Sequence, residues 1–93
     1  MGYEIDTEKD RINREKHGVP LVIGLLVFRG DYIEEVDDRF DYDETRLIAI
    51  GPVAAMSNRL YSVTYTWRGA KRRIISVRTA SAREIRKYRR SHP

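Results

Sequence analysis

The side chains of this chain best suited to chemistry are basic, and most of them come late. Arg72-Arg73-Ile74-Ile75-Ser76-Val77-Arg78 reads as a β-strand, bounded by Gly69 and by Thr79-Ala80-Ser81. Alternation puts Arg72, Ile74, Ser76 and Arg78 on one side and Arg73, Ile75 and Val77 on the other. With Ile75 and Val77 in a core, Ser76 and Arg78 face water, a ligand or a partner. His17 is the natural acid–base residue, because imidazole titrates near neutrality and the other histidine, His92, stands in a tail expected to fray. Each has a plain structural alternative. Arg78 suits a solvated strand edge, and His17, next to Gly18, suits a helix end where it caps carbonyls and favours the dipole.

Charge partition points to the kind of ligand. Cut after Glu44, the chain has 6 Lys/Arg and 13 Asp/Glu before the cut, and 12 Lys/Arg with Glu84 as the lone acid after it. Such asymmetry predicts one surface for a polyanion and another that repels it, as in a nucleic-acid binder. Several classes fall away. Without cysteine there are no disulfides and no thiolate metal sites, and the sequence shows no Ser-His-Asp order, Gly-rich phosphate loop or zinc spacing. A calcium loop starting at Asp37 or Asp41 lacks the glycine at its sixth place and the closing glutamate at its twelfth. No metal and no cofactor is expected. The longest apolar run, Val19 to Phe28, is broken by Pro20 and Gly24 and is too short to span a bilayer, and the opening residues lack the order of a signal peptide. The expectation is a soluble cytoplasmic protein with no membrane partner.

These groups need a scaffold, and 93 residues give room for one domain, 1–93. With 41% hydrophobic and 34% charged residues the chain is globular rather than disordered. Tyr3-Glu4-Ile5 reads as a short extended piece. Thr7 with Asp10 resembles a capping box for a helix running to His17, which Gly18 stops. Ile12 is its only apolar residue from Lys9 onward, so its packing should be thin. A second helix, Leu21 to Phe28, follows Pro20 and is apolar all round, so it should be buried. Strands are expected near Tyr32 to Val36, at Arg46 to Ile50 ended by Gly51-Pro52, and at Leu60 to Trp67, which the Arg68-Gly69-Ala70-Lys71 turn joins to the arginine strand as a hairpin. Ser81 and Glu84 form a capping box opening a basic helix to Arg90, with Ala82, Ile85 and Tyr88 as its docking stripe. The fold class is α+β: two N-terminal helices, an antiparallel meander of three or four strands and a C-terminal basic helix.

Several of these residues together resemble the BrnT toxin family. They are Lys16-His17-Gly18-Val19 after a polar helix containing Asn13, Val27-Phe28, Arg46 in a strand, Arg73-Ile74-Ile75-Ser76-Val77-Arg78, and Ala80 with Arg83-Glu84 and Tyr88. Pro20-Leu21-Val22-Ile23-Gly24 departs from the family, which commonly opens its second helix with Ser, an aromatic and two acids. The resemblance implies a RelE-like fold and a ribonuclease toxin of a type II toxin–antitoxin pair that stops translation by cutting RNA. It also implies neutralisation by BrnA, a ribbon-helix-helix antitoxin, with promoter DNA bound only through the complex.

Metal-free RNA cleavage requires positioning, proton transfer and stabilisation of charge at phosphorus. An arginine fork meets two phosphate oxygens and stays charged, so Arg78 and Arg46 are the first candidates. His17 is a candidate for acid–base work. Tyr88 is another, or else a docking residue, since a phenol is a poor base unless perturbed. Lys16, Arg72, Arg73, Arg83 and Lys87 are candidate RNA-phosphate contacts. Two other readings remain open: a non-catalytic module binding nucleic acid or an antitoxin, and a gyrase-inhibiting toxin of the same fold.

Overall fold

The computed structural model describes residues 2–39 and 43–93; Phe40 and Asp41, which belong to the acidic stretch considered above, lie outside the described residues. A two-residue strand, β1 (Tyr3–Glu4), leads into α1 (Thr7–His17) and the short α2 (Val22–Val27). Strands β2 (Ile33–Asp37), β3 (Arg46–Val53), β4 (Arg59–Arg68) and β5 (Lys71–Thr79) follow, with a 3-10 turn at Ala54–Met56, and α3 (Ala82–Ser91) comes last. The sheet order is β1-β5-β4-β3-β2. The expected meander is there, but Tyr3 and Glu4 add a fifth strand that runs parallel to β5 beside Arg72 and Arg73.

Local chemistry explains the boundaries. The carboxylate of Asp6, not Thr7, caps α1 by accepting the Lys9 N–H at 3.0 Å. Asp10 is then free to accept the Leu21 N–H at 2.7 Å, which orders the entry to α2. Gly18, at φ +76°, ends α1 in the left-handed region that glycine enters without penalty. β3 continues through Gly51-Pro52, where the sequence pattern predicted an end. Pro52 is tolerated because β2 pairs with β3 only as far as Ile50, so the missing N–H falls on an open edge.

β5 carries a bulge. Thr64 pairs with Ser76 but Tyr65 pairs with Ile74, which leaves Ile75 as an extra residue. The simple alternation is therefore overturned: Ile74 and Val77 both enter the core, and Ile75 does not. That core lies between the sheet and α2, where Leu21 and Val27 join Ala49, Val63, Tyr65, Ile74 and Val77. Gly24 allows the close approach, since a Cβ there would meet Val77 Cγ2 at 2.9 Å and Val63 Cγ1 at 3.0 Å.

Helix α1 has no apolar face to dock with, and Ile12 is exposed. Asn13 does the docking instead. Its amide donates to the Val77 and Val19 carbonyls at 2.9 and 2.8 Å and accepts the Val77 N–H at 3.0 Å, so it pairs with β5 as a neighbouring strand would. Asn13→Ala is expected to destabilise the protein by about 2–3 kcal/mol in urea unfolding, because it strands buried backbone groups. A loss below about 0.5 kcal/mol would show that water replaces the amide at no cost.

On the opposite face α3 buries Glu84, with Ile85 and Tyr88 partly covered, while Ala82 is exposed, contrary to the expected stripe. The capping box is present, and it turns the Glu84 carboxylate towards the sheet. The acidic and basic halves do not form separate surfaces, because pairing across the fold mixes them. Glu35 binds Arg83 and Lys87, Glu4 binds Arg73 at 3.3 Å, and Glu44 lies 3.9 and 3.8 Å from Arg46 and Arg68. Among the described residues no helix is long and apolar enough to cross a membrane.

Candidate functional site

The Asn13 clamp leaves a cleft of about 210 Å³ between α1 and the edge of β5. Lys9, Ile12, Lys16 and His17 line it from the helix, and Ile75 and Ser76 from the strand. β1 reaches only Arg73 along this edge and Asn13 takes Val77, so the bulged residue between them forms the floor. Lys9 and Lys16 project cations at the mouth; Lys16 has no acidic partner among the described residues. His17 is the last residue of α1 and is partly buried. Burial, with the positive charges of Lys16 and Arg78 nearby, holds its pKa below the usual 6.5. The imidazole is thus neutral near pH 7 and able to accept a proton.

Arg78 reaches this neighbourhood but is already engaged. Its guanidinium meets the Glu84 carboxylate through both arms, at 2.7 and 3.1 Å, and donates to the Thr79 carbonyl at 3.2 Å. Glu84 is 1% exposed and also accepts from the Ser81 N–H at 2.8 Å and the Ser62 hydroxyl at 3.1 Å. Burial alone would push this carboxyl up. The Arg78 guanidinium, the Ser81 N–H and the Ser62 hydroxyl outweigh it and hold it down at about 2. Arg78 is therefore first a counter-ion, though a third of its side chain, 34%, remains exposed and its charge is felt at His17.

The other candidates lie elsewhere. Arg46 opens β3 next to Leu47, which pairs with Tyr65, whereas Arg78 pairs with Ser62, so the two arginines occupy opposite ends of one sheet face. Tyr88 closes the far end of α3: its hydroxyl donates to the Asp31 carbonyl at 2.6 Å and its ring stacks on His92 at 4.1 Å. Burial and the Asp31 charge push that phenol up, away from use as a base. His92, expected to fray, is held by the Asp31 carboxylate at 2.9 Å. Arg72, expected to face a phosphate, is buried on the helix side instead. Its guanidinium lies over Phe28 at 4.1 Å and Trp67 at 4.6 Å and donates to the Tyr32 hydroxyl at 3.2 Å. Arg73 is held by Glu4, and Arg83 and Lys87 jointly hold Glu35, whose carboxyl they keep below its usual range.

The cleft thus unites His17, Lys16 and Ser76, the last already read as facing outward, with Arg78 beside them, and adds Lys9, Asn13 and Ile75, which sequence pattern did not single out for this site. Helical spacing was the available signal, since residues 9, 12, 13 and 16 share one face of α1. A larger hollow of about 350 Å³ lies between Leu26, Pro52, Ala54 and Asn58; Arg29 is the one titratable side chain in its wall, so nothing there moves a proton at neutral pH. Among the described residues no three His, Asp or Glu side chains are grouped to hold a metal.

No protein of curated function matches the chain significantly. The crystal structure of the Brucella abortus ribonuclease toxin, BrnT, is similar, with a TM-score of 0.62 and 25% identity over 87% of this chain and 97% of that one. The family described as "Ribonuclease toxin, BrnT, of type II toxin-antitoxin system" matches residues 6–84, which include the whole cleft, and the chain belongs to that family.

Proposed function

We propose that this chain is an active endoribonuclease toxin, that residues 1–93 act as one toxin domain in the cytoplasm, and that it cuts RNA in the α1–β5 cleft in RelE-like fashion without a metal. A ribbon-helix-helix antitoxin neutralises it, and promoter DNA is bound only through that complex. The observation that carries the reading is His17. It is a neutral imidazole with a lowered pKa, set at the mouth of a cleft beside Lys16 and Arg78.

An RNA strand entering the cleft places one phosphate against the cations. His17 takes the proton from the 2′-hydroxyl, whose oxygen attacks the adjacent phosphorus as the bond to the next 5′-oxygen breaks. A 2′,3′-cyclic phosphate and a 5′-hydroxyl result, the latter taking its proton from solvent. Lys9, Lys16 and the exposed edge of Arg78 offset the charge that builds on the phosphoryl oxygens. Arg46, Arg72, Arg73, Arg83, Lys87 and Tyr88 then serve the framework that holds these groups.

The test is incubation of the purified chain, freed of antitoxin, with end-labelled RNA in excess EDTA, on naked RNA and with ribosomes. Fragments ending in cyclic phosphate are expected. Absence of cleavage under both conditions would turn the assignment to a non-catalytic binding module. The rate should rise with pH through a midpoint below 6.5, because the lowered pKa leaves His17 in its base form above that point. A rate that stays flat from about pH 5 to about pH 7 would remove His17 as the base.

A further inference from the structure

Exposed apolar side chains on a small protein are ordinary when scattered, but here three of them fall into line. β-Sheet register decides which side chains share a face, since laterally paired residues point the same way. Tyr3 pairs with Arg72 and Arg72 with Trp67, while Val36 pairs with Leu47 and Leu47 with Tyr65, one step along β4 on the same face as Trp67. A row running Tyr3, Arg72, Trp67, Leu47, Val36 therefore crosses all five strands, with the buried Arg72 between Tyr3 and Trp67. Tyr3 is 40% exposed, Trp67 42% and Val36 60%.

The reason is the shortness of α2. It ends at Val27, and Phe28 and Tyr32 extend its cover only over Tyr65 and Arg72. Beyond them Tyr3, Trp67 and Val36 stay exposed, with no helix among the described residues covering them. Trp67 does not stand loose there, because Arg72 lies over its ring at 4.6 Å and its ring meets that of Tyr65 edge-on at 5.9 Å. A tryptophan already fixed in place loses little conformational freedom on binding, and tryptophan is a favoured anchor at interfaces.

Acidic side chains gather at the β2 end of the row, while Arg72 lies within it at β5 and Arg39 stands beside Asp38. Glu34 shares the face with Val36, and exposed Asp38 and Asp43 flank the β2 end; none of the three forms an ion pair among the described residues. We propose that this row is a docking surface for an amphipathic antitoxin segment whose apolar side chains cover Trp67, Leu47 and Val36 and whose Lys or Arg residues meet Glu34, Asp38 and Asp43. The inference rests on the toxin–antitoxin reading. The row crosses β5 at Arg72 and the cleft begins at Ile75, so the surface and the cleft are separable by mutation.

The experiment measures affinity of the purified chain for its purified cognate antitoxin, with thermal melting to confirm folding and RNA cleavage as a separate readout. Val36→Lys and Trp67→Glu are each expected to weaken binding at least about 30-fold, the loss typical of an anchor residue. The Asp38→Lys, Asp43→Lys double variant should slow association about 10-fold and flatten its salt dependence. RNA cleavage should stay within about twofold of wild type, the changes lying outside the cleft. Should Trp67→Glu fail to fold because it touches Arg72, the exposed Val36→Lys decides. Wild-type antitoxin affinity in a folded Val36→Lys protein overturns the proposal, as does a wild-type chain that dimerises alone and is made monomeric by Val36→Lys. Weakened binding by the variants, together with a wild-type chain that cuts no RNA, keeps the surface and removes the nuclease reading.

Discussion

Arg78→Ala is expected to lower folding stability by about 3–5 kcal/mol, read from chemical unfolding, because it leaves the buried Glu84 carboxylate without its counter-ion. The sequence pattern predicted a residue turned away from the core, and such a residue would carry no such cost. Toxicity lost in an Arg78→Ala strain therefore does not by itself identify a catalytic group. Arg78→Lys should recover part of the stability, as one cation arm can still reach the carboxylate. A folded Arg78→Ala protein within about 1 kcal/mol of wild type would show that solvent neutralises Glu84. The same pair sets an acid limit. Its carboxyl titrates at about 2 in the fold against 4.5 unperturbed, which corresponds to about 3 kcal/mol. With the folded pKa depressed, that stability is whole above about pH 4.5 and is lost as pH falls towards about 2. It does not interfere with the His17 titration nearer neutrality.

His17→Ala is expected to slow RNA cleavage by about 10²- to 10⁴-fold while leaving the melting temperature close to wild type. The helix stop belongs to Gly18 and the docking of α1 to Asn13, so the imidazole is not needed for either. His17→Gln keeps a polar side chain of similar reach but cannot move a proton, and should be as slow as alanine. Cleavage by His17→Gln at near wild-type rate would show that the residue only positions RNA. Lys16→Ala tests a different function, and should weaken RNA binding and reduce the salt slope by about 0.7 for the phosphate contact it removes.

How far the sequence spoke depends on the range of the interaction. Capping at Ser81 and Glu84, the left-handed stop at Gly18 and the alternation of Leu60 to Trp67 are local, and each appears where the pattern placed it. The bulge at Ile75 is not local. It arises from how β5 registers on β4, and one unpaired residue exchanges the roles of Ile74 and Ile75. Arg72 shows the same limit, for its aromatic cage is assembled from Phe28, Tyr32 and Trp67, which are far apart in the chain. In the cleft, His17 and Lys16 were legible as neighbours, and Arg78 as a cation. That Arg78 is held by the helix after it, and that Asn13 acts as a strand, depended on contacts no short window contains. The charge count misled because it treats the chain as two blocks, while the fold interleaves them.

The Asn13 clamp joins residues 64 positions apart. A chain that emerges from the ribosome N-terminus first presents α1, with His17 at its end, long before it presents the strand that forms the other wall. Until β5 has been made, the imidazole has no floor beside it and no Arg78 near it. On the proposed reading, cutting ability arrives late in synthesis and all at once, and the unfinished chain poses no threat to the ribosome that carries it.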